Sequence, residues 1–104
     1  MAVEARIKAH DLKAPRLSPA DLTSNIADVE FIMHTSKGGQ VLRWAILTTA
    51  SGYAVVGKPS VSVSPENDRE DIGKQVAYEN SRNEMWPLMG YALKQKLHEG
   101  IGGA

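Results

Sequence analysis

The sequence contains no cysteine, which removes thiol nucleophiles, thiolate metal sites and disulfides, and leaves the compartment open on that count. Neither charge is in excess. Twelve basic side chains balance twelve acidic ones, so the broad positive field that drives most phosphate-backbone binding has no source, and duplex nucleic acid is not an expected partner. No apolar run reaches the length of a membrane span or a secretory h-region, since residues 1–17 mix Glu4, Arg6, Lys8, Asp11, Lys13 and Arg16 with isolated apolar residues. The expectation is a soluble protein of the cytoplasm with no membrane partner.

Catalytic patterns are missing as well. His10, His34 and His98 fall far apart, with no H-x-x-x-H spacing to put two imidazoles on one helical face. There is no Walker loop, dinucleotide glycine fingerprint or G-x-S-x-G elbow, and Gly38-Gly39 sits between two strand-like segments, where a hairpin turn accounts for it. Glu66, Asp68, Glu70 and Asp71 cluster at a helix start, where solvated negative charge is the ordinary reading and a hard-cation or acid/base site the rarer one. The chain is therefore expected to be no enzyme, to hold no metal and to need no cofactor.

What is present reads as one α+β domain. At 104 residues the chain can form one core with much of its surface exposed, and association with copies of itself is expected. Residues 1–17 lack a sustained period and read as a flexible arm; 18–98 form the domain, and 99–104 a flexible tail. Ser18-Pro19-Ala20-Asp21 supplies a hydroxyl cap, a proline at the first helical position and an acidic residue three places after the cap. A short helix over roughly 19–27 follows. Three β-rich segments come next, Val29 to His34, Gln40 to Thr49 and Tyr53 to about Val63, separated by Lys37-Gly38-Gly39 and Ala50-Ser51-Gly52; they predict a three-stranded antiparallel meander.

In the middle strand Leu42, Trp44, Ile46 and Thr48 share one face, while Val41, Arg43, Ala45 and Leu47 share the other. Both faces are substantially apolar, so both are expected to be covered. Gly57 and Pro59 interrupt the third strand and mark it as an edge or a bulged strand. From Ser64-Pro65 a long helix over roughly 66–85 follows, kinked near Trp86-Pro87 and continuing through Leu88, Tyr91, Leu93 and Leu97. Within it Gly73, Ala77 and Ser81 form a small-residue row beside Ile72 and Val76, against which another element is expected to pack closely. Asn80 lies between them and needs a hydrogen-bond partner, since burial without one costs about 1–3 kcal/mol.

Two stretches carry a resemblance. Ser64-Pro65-Glu66-Asn67-Asp68-Arg69-Glu70-Asp71-Ile72-Gly73-Lys74-Gln75-Val76-Ala77-Tyr78-Glu79-Asn80-Ser81 is followed by Met85-Trp86-Pro87-Leu88-Met89-Gly90-Tyr91-Ala92-Leu93. Their proline-led helix start, isoleucine-glycine pair, alanine-tyrosine-glutamate-asparagine step and tryptophan-proline-leucine before glycine-tyrosine resemble the tailed-phage gene-forty-nine/gene-sixty-six family. The preceding elements agree in order, so the resemblance spans about 18–98. It implies a bacteriophage or prophage accessory protein acting in the bacterial host cytoplasm.

The family is similar in turn to Thoeris anti-defence protein one, an oligomeric sponge that sequesters cyclic nucleotide-type immune signals. That likeness implies a non-catalytic, homo-oligomeric counter-defence protein with a small anionic nucleotide ligand. Such a site needs donors for phosphate and a flat surface for the base. Arg43, Arg69, Lys74 and Arg82 are candidates for phosphate, Asn80 for a base or ribose edge, and Trp44 or Tyr78 for stacking. Each also has a structural role open to it: Arg43 covering a sheet edge, Arg69 and Lys74 pairing with carboxylates, Asn80 bonding within the core, and Trp44 packing as tryptophans on strands usually do. Asp68 departs from the family pattern, where an aromatic often stands, and so removes one stacking surface. The alternative function is a protein-interaction module that inhibits or redirects a host protein through the third strand, the arm or the Trp86–Tyr91 segment.

Overall fold

The computed structural model describes residues 15–101, so most of the expected arm and the last residues of the expected tail lie outside the described residues. The first helix, α1 (Pro19–Ser24), starts where the capping signals put it. Ser18 Oγ accepts from the Asp21 amide at 3.3 Å, and the Asp21 carboxylate accepts from the Ser18 amide at 2.8 Å. The helix is shorter than the sequence suggested. Asn25 stops it, because its carbonyl accepts from the Ala50 amide at 3.1 Å and its side-chain oxygen from the same amide at 3.2 Å, turning the chain directly into a strand.

The sheet is built on its second strand. Strands β1 (Ile26–Thr35), β2 (Val41–Thr49), β3 (Ala54–Val56) and β4 (Ser60–Ser62) form one antiparallel sheet, and β1, β3 and β4 all pair with β2. The expected third strand is thus one edge in two pieces. Ile46 pairs with Val56 and Arg43 with Ser60, so Gly57, Lys58 and Pro59 stand opposite Trp44 and Ala45 alone. The extra residue bows that edge outward, as expected of a glycine and a proline that cannot complete a ladder.

A short 3-10 turn (Pro65–Asn67) leads to α2 (Glu70–Asn83), and α3 (Met85–Ile101) follows. The axis bends by 25° at residue 84, three residues ahead of Pro87. Pro87 has no amide to offer the Asn83 carbonyl, so the first helix ends there and the proline sits in the first turn of the next, where no donor is required.

The small-residue row does what its spacing predicted. Gly73, Ala77 and Ser81 are the buried residues of α2, and they lie against β2 and its neighbours. The core cluster comprises Leu22, Ala45, Leu47, Val55, Ala77 and Met85, with Ile26, Val29, Tyr78, Trp86 and Met89 packed around it. One face of the sheet is therefore covered. The other is not, contrary to expectation: Leu42, Trp44, Ile46 and Thr48 remain half-buried, and Ile32, Val56 and Val61 beside them are 50%, 49% and 54% exposed. The short α1 and the α2–α3 pair contribute their buried side chains to the same inner face, and no helix among the described residues packs over the outer row.

Where the edge bows, a hydroxyl replaces the missing ladder. Ser81 Oγ donates to the Ala45 carbonyl at 2.6 Å and accepts from the Gly57 amide at 2.8 Å. Gly57 is required for that approach, since a Cβ there would fall 2.7 Å from the Ser81 amide nitrogen and closer still to the Asn80 carbonyl. Gly57→Ala is expected to lower stability by about 1–3 kcal/mol through overpacking against backbone. Gly38→Ala, with nothing within 4 Å of the added carbon, serves as the control, and urea unfolding of both variants against the parent measures the difference.

Candidate functional site

The seven residues singled out for ligand contact do not converge. Arg43 and Trp44 are neighbours on β2 and point to opposite faces of the sheet. Arg43 is 5% exposed and stands on an inner strand, so it does not cover a sheet edge. Its guanidinium lies under α2, where the absent side chain of Gly73 makes room: a Cβ on Gly73 would fall 2.8 Å from Arg43 Nη1.

There Arg43 meets Asp68. Nη1 donates to Asp68 Oδ1 and Nη2 to Oδ2, both at 2.6 Å, a two-pronged pair of the geometry that planar guanidinium and carboxylate groups share. Ser62 Oγ donates to the same carboxylate at 2.8 Å, and Met33 Sδ lies 3.6 Å from Nη2. Hydrogen bonds from Arg43 and then Ser62 pull the Asp68 carboxyl down from 3.8 to about 2, and the Asp68 carboxylate in turn raises the guanidinium above its ordinary value. Asp68 thus closes a bridge between the sheet and the start of α2.

The remaining candidates are also engaged. Asn80 Nδ2 donates to the Lys58 carbonyl at 3.1 Å, which answers the requirement for a partner from within the protein. Arg82 holds α1 to α2, its Nη2 donating to the Pro19 carbonyl at 2.6 Å and its Nε to Thr23 Oγ1 at 3.2 Å. Tyr78 packs on the core. Lys74 pairs with Glu70 at 3.1 Å and rests 5.4 Å from the centre of the Phe31 ring. Arg69 is the most open of the four cations, its side chain 68% exposed and 3.7 Å from Asp71; such exposed pairs contribute little to stability.

Among the described residues, depressions of about 230 Å³ lie at Lys58, Asn80, Asn83 and Glu84 and at Asn25, Tyr53, Leu88 and Met89, and two further surfaces have binding capacity. One is a shallow depression of about 230 Å³ between β4 and the start of α2, lined by Ser60, Val61, Asn67, Arg69, Ile72 and Val76 among others. It joins one cation and polar groups to an apolar wall, and only Arg69 of the seven candidates reaches it. The other is the outer face of the sheet, where Trp44 lies beside Ile32 and between Leu42 and Ile46 along the row. The alternation of β2 placed those side chains on one face; that no described helix would cover them was not readable, because both faces of the strand are apolar. Among the described residues no group of three or more histidine, aspartate or glutamate side chains has the arrangement of a metal site, and no helix is long and apolar enough to cross a membrane.

Residues 17–97 match the model of the Phage protein (N4 Gp49/phage Sf6 gene 66) family. The chain matches no curated protein and no solved structure.

The Arg43–Asp68 pair has a measurable signature. Because Asp68 is depressed in the folded state, its contribution to stability is fully present above its unfolded value of 3.8 and is lost as pH falls through about 2. The thermal midpoint is expected to decline across that interval, and Asp68→Asn to flatten the decline while lowering the midpoint at neutral pH. Arg43→Ala is expected to lower the neutral-pH midpoint by on the order of 10 °C. An Arg43→Ala protein as stable as its parent would show the pair to be dispensable.

Proposed function

The chain belongs to the phage protein family that includes N4 Gp49 and Sf6 gene 66, and from that premise we propose that it is a non-catalytic phage accessory protein that binds and redirects a host protein through the outer face of its sheet. One observation carries this reading: Ile32, Leu42, Trp44, Ile46, Val56 and Val61 form a row of accessible apolar side chains on a frame of paired strands. Contiguous apolar surface on a small domain marks an interaction site, and a tryptophan at its centre is the residue type most enriched among strong interface anchors. The Arg43–Asp68 pair ties the opposite face of this frame to the start of α2, and docking on paired strands needs little ordering of backbone. The host cytoplasm is the place of action in this reading.

Sequestration of a small cyclic nucleotide-type signal, the activity implied by likeness to Thoeris anti-defence protein one, is the second reading. It is favoured by the depression at Arg69, where a cation, the Asn67 amide and the Ile72–Val76 wall face one space. Arg43, Asn80 and Arg82 already carry bonds within the protein.

Native mass spectrometry after incubation in host extract separates the two readings. The parent is expected to retain a host polypeptide that Trp44→Arg loses while keeping its circular-dichroism spectrum. Release of an intact nucleotide on denaturation, lost in Arg69→Ala and kept in Trp44→Arg, would overturn the protein-binding reading in favour of sequestration.

A further inference from the structure

We propose that β1 is a self-association edge, through which two copies of this chain pair antiparallel about a two-fold axis at Ile32 and join their sheets into one. β1 is the outermost strand on its side of β2, ten residues long, and its register with β2 runs unbroken from Asp28 to Thr35. Its one irregularity is a register shift between Ile26 and Asp28, ahead of this regular stretch, and its acidic residues, Asp28 and Glu30, lie in its first half. The segment from Asp28 to Thr35 has no proline, glycine or lysine, and three consecutive apolar residues, Phe31, Ile32 and Met33, are 38%, 50% and 59% exposed. The outward backbone groups of such a strand pair with no described strand and form a template for another. On the opposite side of the sheet the Gly57–Pro59 bulge breaks the edge, so β1 is the side that accepts a partner.

The charges on β1 select a second copy as that partner. A two-fold contact requires a surface that complements itself. Asp28 and Glu30 occupy the first half of the strand, and His34 and Lys37 lie in or just beyond the second. An antiparallel pairing centred on Ile32 sets Glu30 opposite His34 of the second copy and Asp28 diagonal to it. The same register sets Phe31 opposite Met33, a favourable sulfur–aromatic contact. Centring on Phe31 would instead place Glu30 opposite Ile32, and centring on Met33 would place His34 there. With Ile32 on the axis, the cross-strand partner Trp44 of each copy flanks the centre, and the two outer faces become one continuous surface. The inference rests on the strand edge and not on the host-protein reading. Dimer formation and polypeptide capture are separate readouts, and either can fail alone.

The absence of cysteine makes the test clean. Under mild oxidation Ile32→Cys is expected to cross-link to itself, and an equimolar mixture of Phe31→Cys and Met33→Cys to yield a mixed dimer. Tyr53→Cys, exposed but remote from the edge, is expected to yield none. Sedimentation velocity of the unmodified protein is expected to show a concentration-dependent dimer that His34→Glu, which faces Glu30 twice, weakens about tenfold. A protein that sediments as a monomer at every concentration, cross-linking through Tyr53→Cys as strong as through Ile32→Cys, or an undiminished His34→Glu dimer overturns the proposal.

Discussion

The close approach of α2 to β2 is the constraint on which the rest of this fold depends, and it exists because Gly73, Ala77 and Ser81 have almost no volume. At Gly73 the missing side chain admits the Arg43 guanidinium, at Ala77 the methyl group meets the core, and at Ser81 the hydroxyl enters the gap that the Gly57–Pro59 bulge leaves in the ladder. Buried polar groups are costly unless bonded. Here the two ends of the row meet that requirement differently, with a bidentate ion pair at one and a bridging hydroxyl at the other, and among the described residues no buried side-chain nitrogen or oxygen is left without a partner.

That arrangement determines which face of the sheet remains available. Every inward residue of β2 is buried, including the one cation that the strand carries. Because side chains alternate, engaging Arg43 inward turns Trp44 outward, and the interrupted edge adds Val56 and Val61 to the same outer row. The structure therefore separates tasks by face: polar bonds and close packing on one side, accessible apolar surface on the other.

Much of the fold was legible because its signals are local. The Ser18 capping box, the alternation of β2, the glycine-marked turns and the small-residue row each act within a few residues, and each appears where the chain pattern put it. What escaped was non-local. Arg43 and Asp68 are 25 residues apart, and their union depends on strand register and on the reach of a guanidinium past Gly73. Ser81 was legible as a small residue but not as a donor, since the carbonyl it serves belongs to a ladder broken by residues 24 positions earlier. The candidate ligand residues were chosen for their chemistry, and three of the seven, Arg43, Asn80 and Arg82, are held by such long-range bonds.

The electrostatics of what remains argue for association by burial. At the depression beside Arg69 a cation is open to solvent, yet Asp71 lies 3.7 Å from that guanidinium, Asp68 closes the neighbouring pair, and Glu70 holds Lys74. An anion entering there displaces existing pairs and gains only the difference. An apolar partner on the outer face meets no such competition. Its gain scales with the area removed from water at roughly 25 cal/mol per Å², less the cost of immobilisation, which is small on a frame of paired strands. A chain whose formal charges cancel has no net charge to steer a ligand, so in the protein-binding reading selectivity comes from contact, from the shape of the row around Trp44 and from the pattern of groups along the edge of β1.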